Sequence, residues 1–189
     1  MRKTYTVAYK RKVQGRTNYK KRLALLKSNK PRLVIRTSSS NLTAQIIEFN
    51  PKGDSVTTAA HTKDLEKLGW TASRGNSSAA YLTGLLVGKK AAAKGIKEAI
   101  VDSGLNKPVR GSRVYAAVKG CLDAGITIPV DENVFPSEDR ILGKHISSYA
   151  SDCKGKETKQ FSKCIKNNVD VEKFPELVEA CKKKIMGAE

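Results

Sequence analysis

The sequence predicts a mixed α/β (α+β) fold: a small mixed sheet of three to four strands with packed helices, a basic N-terminal arm and a C-terminal helical extension. Three observations carry that expectation. Three short runs rich in β-branched residues, 32–36, 42–49 and 55–60, are separated by Asn, Pro, Gly and Asp turn chemistry. A fourth run, "EAIVD" (98–102), lies between two long helical patterns, and strand–helix–strand order gives a crossover that sets parallel strands side by side. Charge is segregated: residues 1–36 hold 13 Lys or Arg and no acid, so they supply +13 of the net +18 of this 189-residue chain. The remainder holds 23 basic and 18 acidic side chains, close to balance. The expected organisation is an extended arm over 1–16, an α/β core over 17–149 and a helical extension over 150–189.

Taken in order, residues 1–15 mix Lys and Arg with Tyr5, Tyr9 and Val13 without a helical period, and read as extended. A short helix follows. Thr17 or Asn18 caps it, Tyr19, Leu23 and Leu26 share one face, and it ends at Ser28-Asn29 ahead of Pro31. "RLVIR" (32–36), "LTAQIIEF" (42–49) and "SVTTAA" (55–60) are the strands, and the linkers "TSSSN" and "NPKGD" favour antiparallel hairpins. Asp64 to Leu68 makes one helical turn stopped by Gly69. "NSSAAYLTGLLVGKKAAAKG" (76–95) is a long helix with Asn76, Ser77 or Ser78 as cap, an apolar stripe of Ala79, Leu82, Leu85 and Leu86, and Gly95 as its stop. Gly84 and Gly88 weaken that helix, which implies a neighbour packed close to them. "SRVYAAVKGCLDAG" (112–125) is the next helix, with Val114, Ala117, Val118, Cys121 and Leu122 inward. Residues 127–146 hold two prolines and clustered acids and read as irregular. In the extension, Phe161, Cys164 and Ile165 form one small stripe. Leu177, Cys181 and Ile185 repeat every four residues behind Pro175.

The unneutralised arm is the strongest functional signal. Its cations repel one another, so a polyanionic partner is expected. Each phosphate met by Lys or Arg releases counterions, and log affinity falls with log salt by roughly 0.7 to 0.9 per contact. Tyr5, Tyr9 and Tyr19 are interleaved with the charges, and a ring can stack on an unpaired base, as in RNA loops. Tyr19 also fits a core contact of its helix. Gly15 allows the backbone close to a phosphate. A second, weaker basic cluster gathers Arg74, Lys89, Lys90, Arg110 and Arg113. Lys89 and Lys90 also suit a helix C-terminus, where cations favour the dipole.

Other chemistries find little support. His61 and His145 stand alone, and Cys121, Cys153, Cys164 and Cys181 are widely and irregularly spaced, so no zinc pattern exists. With no CxxC the thiols read as reduced. No cofactor is expected. Asp131, Glu132, Glu138 and Asp139 could be imagined as the acid cluster of a nuclease, but pairing with Arg140 and nearby lysines, or turn capping, accounts for them. "PSED" resembles a helix start with Ser137 as cap. The phosphate loop GxxxxGK[ST] is absent, and no enzyme is expected. No stretch of about 18 apolar residues is present, and no apolar run follows the basic N-terminus as a secretory signal requires. The expectation is a soluble intracellular protein. A membrane-surface binder would need bulky apolar residues along an amphipathic helix, and residues 1–15 have few. No zinc finger, zipper or clear helix-turn-helix suggests duplex DNA.

Four blocks occur in order: "TNYKKRLALLKSNKPRLVIRTSSSN" (17–41), "AAYLTGLLVGKKAAAKG" (79–95), "GSRVYAAVKGCLDAGITIP" (111–129) and "FPSEDRILGKHI" (135–146). In that order they resemble the large-subunit ribosomal protein eighteen family, in its archaeal form, over nearly the whole chain. The extension past Ala150 fits the archaeal and eukaryotic-like branch. The resemblance implies an α/β core with a basic arm and a structural role in the cytoplasmic large ribosomal subunit. It implies binding to 5S rRNA, contact with large-subunit (23S) rRNA in the central protuberance, and large-subunit ribosomal protein five as a neighbour. By position it makes Arg11, Lys12, Arg16, Lys20, Lys21, Arg22, Arg32 and Arg36 RNA-facing, with Asn41 and the serine turn at Ser38. Added to these as candidate RNA contacts are Arg2, Lys3, Tyr5, Tyr9, Lys10, Asn18, Tyr19 and Lys30, with Arg74, Lys89, Lys90, Arg110 and Arg113 from the second cluster. The alternative reading is a general polyanion or RNA binder without 5S specificity.

Overall fold

The computed structural model describes residues 6–153, 161, 164 and 170–187. Three consecutive strands, β1 (Arg32–Thr37), β2 (Leu42–Glu48) and β3 (Ser55–His61), form an antiparallel meander. A fourth, β4 (Ile100–Asp102), joins β1 in parallel, and the sheet order is β3-β2-β1-β4. β2 alternates as a half-buried strand must: Leu42, Ala44 and Ile46 are buried. β1 is covered on both faces. Leu33 and Ile35 join the hydrophobic core, whereas Arg32, Val34 and Arg36 take the other face by the period of two.

Between β3 and β4 runs α3 (Ser77–Ala93), started by Asn76, whose side chain accepts from the Ala79 amide at 2.8 Å. The expected stripe is present in Ala79, Leu82 and Leu85, but Leu86 is only half-buried and Val87 is buried. The helix is covered nearly all round because it touches β2, β3, α4 (Arg113–Asp123) and the C-terminal helix α7 (Phe174–Gly187). Its closest partner is α4. Gly84 and Gly120 let the two backbones approach so far that a Cβ on Gly84 would lie 1.9 Å from the Ala117 carbonyl oxygen. α7 anchors itself through Phe174, Val178, Cys181 and Ile185, which belong to the same core as the sheet. Trp70 packs edge-on against Phe174 with ring centroids 5.6 Å apart.

Three expectations need correction. The arm is not wholly extended: Lys10–Val13 form one helical turn, α1, closed by bonds from the Lys12 and Val13 amides to the Tyr9 carbonyl. The next helix, α2 (Tyr19–Leu26), is capped by Asn18 as expected, but Leu23 is 60% exposed and no residue of α2 is buried. Lys21 and Arg22 form its link to the sheet instead. Residues 127–146 are not irregular throughout. They contain a 3-10 turn (Glu132–Val134), α5 (Glu138–Leu142) and the start of α6 (Lys144–Asp152), with left-handed Gly143 between the two helices. Acids in the first turn favour α5, while Ser137 sits at its cap position without a side-chain bond. Phe161 and Cys164 are half-buried, and their expected stripe partner Ile165 lies outside the described residues.

All four cysteines are free thiols. Cys121 is buried in the α3–α4 seam, where its thiol donates to the Gly84 carbonyl at 3.2 Å. Burial pushes its pKa far up, and it also raises those of Cys164 and Cys181. Native protein at mildly alkaline pH is therefore expected to alkylate at half-buried Cys153 first, with Cys121 slower by on the order of a hundredfold or more. Peptide mass spectrometry reads this directly. Equal labelling of Cys121 and Cys153 would mean that the seam opens readily.

Candidate nucleic-acid interface

The face of β1 turned away from the core places two arginines beside acids from two other elements. Asp102 ends β4 opposite Val34, and Asp54 arrives from the β2–β3 turn. Arg32 is only 3% exposed, and a buried guanidinium needs compensating charge. It donates to Asp102 at 3.0 Å and to Asp54 at 2.5 Å. Arg22 of α2 reaches Asp54 at 2.9 Å. Half-exposed Arg36 donates to the carbonyls of Ile35 (2.9 Å) and Asp102 (2.8 Å) and lies 3.5 Å from the Asp102 carboxylate. The Gly104 amide completes the set on Asp102 at 2.8 Å. Gly104 has φ +62°, and a Cβ there would lie 2.8 Å from Cζ of Arg36, so only glycine lets the guanidinium rest on this loop. Lys21 ties α2 to the same loop through Ser103 Oγ (3.1 Å) and the Gly104 carbonyl (3.2 Å).

The arm closes the other side. After α1 the chain doubles back: the amides of Arg16 and Thr17 donate to the Arg11 carbonyl, and Arg11 Nε donates to Thr17 Oγ1 at 3.0 Å. The Tyr9 ring sits 4.9 Å from that of Tyr19, tilted by 41°, and Tyr9 remains 71% exposed. Between arm, α2, β1 and the loop after β4 lies a cleft of about 130 Å³. Seven of the candidate RNA contacts line it: Arg11, Arg16, Asn18, Lys21, Arg22, Arg32 and Arg36. Lys10, Lys12 and Lys20 are exposed nearby in the chain and form no ion pair among the described residues. Arg2, Lys3 and Tyr5 lie outside the described residues.

Other candidates are occupied by the fold itself. Lys30 pairs with Glu98. Ser38 and Asn41 build the β1–β2 turn: the Ser38 amide and hydroxyl donate to the Asn41 carbonyl at 2.8 and 3.1 Å, and the Asn41 side chain bonds Thr62 and Ser40. The second basic cluster assembles only in part: Arg113 reaches the loop that carries Arg74, whereas Lys89 and Lys90 serve other elements. Arg74 pairs with Glu66 at 2.7 Å. Lys89 donates to the carbonyls of Ile185 and Met186 at the end of α7, a position that suits a cation. Lys90 donates to the Ala59 carbonyl on the free edge of β3, at the far side of the sheet from the cleft. Arg113 donates to the Gly75 carbonyl at 2.9 Å, and Arg110 is exposed. Asp54, Asp102 and Gly104 belong to the site without having been among the expected residues. The available signal was the alternation in "RLVIR", which puts Arg32 and Arg36 on one face and calls for acids beside them.

The imagined acid cluster is not a site. Asp131 caps its own 3-10 turn by accepting from the Asn133 amide at 3.0 Å, and Asp139 pairs with Lys144 at 2.7 Å. Among the described residues no group of three His, Cys, Asp or Glu gathers to hold a metal, and no helix is long and apolar enough to cross a membrane. In comparison with known proteins, the model of a family described as ribosomal large subunit proteins 60S L5 and 50S L18 matches residues 3–98, half of the chain. The match spans the arm, α2, the three-stranded meander and α3.

Proposed function

Because the chain belongs to the family of ribosomal large subunit proteins 60S L5 and 50S L18, we propose that it binds 5S rRNA and attaches it to the large-subunit rRNA in the central protuberance of the cytoplasmic ribosome. Large-subunit ribosomal protein five is its proposed neighbour there. The role is structural rather than catalytic. The single observation that best supports this reading is the convergence of cations from the arm, α2 and β1 on one cleft, beside an exposed Tyr9 ring.

The mechanism is an electrostatic clamp on a rigid platform. Phosphates neutralise a segment that has no acids of its own, and counterion release drives the association. Lysine and arginine contacts fix register without reading sequence. Discrimination falls to RNA shape and to bases stacked on exposed rings such as Tyr9. The proposed contacts are Lys10, Arg11, Lys12, Arg16, Lys20, Lys21, Arg22 and Arg36. Arg32 leaves the set because it is buried between Asp102 and Asp54, and Lys89 and Lys90 because they serve α7 and β3, away from the cleft.

The test is equilibrium binding of 5S rRNA with transfer RNA as competitor, at low and moderate salt. The expected result is a clear preference for 5S rRNA and a fall in affinity of about 10³ or more across that range. Deleting residues 1–16 removes six cations, and the log–log salt slope should drop by up to roughly 5. Equal binding of both RNAs, abolished alike by salt, would instead make the chain a general polyanion grip.

A further inference from the structure

The arm is held to the core in an unusual way. Among the described residues, each hydrogen bond made by the side chains and amides of residues 6–17 stays within that segment. The Tyr9–Tyr19 ring contact joins it to α2, yet its two arginines form one wall of the cleft. The cleft lining holds six cations and a single acid. That acid, Asp102, is already engaged by Arg32, Arg36 and the Gly104 amide. The Arg16 side chain has no partner among the described residues. Arg32 also lines the cleft, and its buried Nε–H finds no acceptor. Charge is therefore in surplus at a place where arm and core face each other. The volume of about 130 Å³ corresponds to about four waters at roughly 30 Å³ each, room for one phosphate group.

We infer that the cleft is a phosphate seat that staples the arm to the core. One RNA backbone phosphate sits between Arg11 and Arg16 of the arm and Lys21 and Arg36 of the core, replacing the hydrogen bonds the two parts do not make directly. Asp102 acts as a positioning residue that aims Arg36 and holds the loop bonded by Lys21, while Asp54 engages Arg22 and Arg32 beside them. The inference rests on the proposed RNA-binding function and adds that the arm's placement depends on an anion in this cleft.

The probe is inorganic phosphate, titrated against chloride at constant ionic strength into the full chain. Arginine Nε–H NMR signals and trypsin cleavage within the arm are followed together. Saturable shifts are expected for Arg11, Arg16 and Arg36, with none at Arg74 or Arg110, and cleavage after Lys10, Arg11 and Lys12 should slow by about tenfold. Arg36→Gln and Arg16→Gln should each weaken the phosphate response by about tenfold. Arg16 is exposed, so its variant stays interpretable if the Arg36 variant disturbs the loop. Shifts that never saturate and are shared by Arg74 and Arg110 would reduce the effect to screening and overturn the staple. If 5S rRNA fails to outcompete transfer RNA while phosphate still protects the arm, the 5S reading falls and the staple stands. If 5S rRNA binds selectively and phosphate leaves the arm unprotected, only the staple falls.

Discussion

Gly120→Ala is expected to destabilise the protein by about 3–5 kcal/mol, enough to unfold much of it, and Gly84→Ala to do the same. Intrinsic propensity argues the other way, since alanine stabilises a helix interior by about 1 kcal/mol over glycine. Contact geometry decides the sign. A Cβ on Gly120 would lie 2.1 Å from the Tyr81 carbonyl oxygen and 2.7 Å from the Leu85 amide nitrogen. Both are backbone atoms inside α3, so no side-chain rotation relieves the overlap. The helices must separate, which uncovers Cys121 and Ala117 and loosens α3 from the sheet and α7. Urea unfolding followed by circular dichroism measures the loss. Gly187→Ala is the control: it has ordinary helical backbone and nothing within 4 Å of the new methyl, so its midpoint should barely move. A Gly120 variant within about 1 kcal/mol of the parent would mean that α3 and α4 are not packed at this distance.

That seam shows which parts of the molecule were legible in its sequence. Gly84 and Gly88 sat in a pattern that otherwise favours helix, and the only physical reason to keep them was a close neighbour. The sequence could not say that α4 would supply it, because the matching glycine at 120 lies in a separate pattern. Strands β1 to β3 were readable from β-branched runs between strong turn signals, and β4 from the crossover rule. Residues 127–146 read as irregular because of their two prolines, although "PSED" already marked the start of α5. The turn at Lys10–Val13 has no amphipathic period in four residues. Its signal is tertiary, in the tilted ring contact of Tyr9 with Tyr19.

The site divides in the same way. Net charge identified the arm, and it does so whatever the fold. It could not separate cations that face outward from cations the fold consumes. Arg32 and Lys12 look alike in the sequence, but Arg32 shares a strand face with Asp102 and is buried, whereas Lys12 stands on an exposed turn. Lys89 and Lys90 are adjacent in sequence and serve two different elements. These distinctions come from register and packing, which composition does not encode.

Asp102→Ala is expected to cost about 2–3 kcal/mol and, under conditions where the variant is folded, to weaken RNA binding by about tenfold. Leaving a buried charge without any partner costs about 3–5 kcal/mol. Arg32 would keep Asp54, so the lower range applies. The binding effect has the informative sign. Asp102 is an acid among the cations proposed to meet phosphate, and Coulomb's law alone says that removing it should tighten RNA. The geometry says the reverse. Without this carboxylate the Gly104 amide and the Arg36 guanidinium lose their common anchor, and the loop that also holds Lys21 through Ser103 and Gly104 is released. Cations that must be ordered on binding contribute less than cations already in place. Glu48→Gln supplies the pure charge effect, since Glu48 is exposed at the end of β2, and it should leave affinity unchanged or slightly raised. Filter-binding titrations of both variants against 5S rRNA at one fixed salt concentration make the comparison. If Asp102→Ala tightens binding as Glu48→Gln does, the carboxylate is only a repulsive neighbour. If it weakens binding while Glu48→Gln does not, Asp102 holds the clamp in shape.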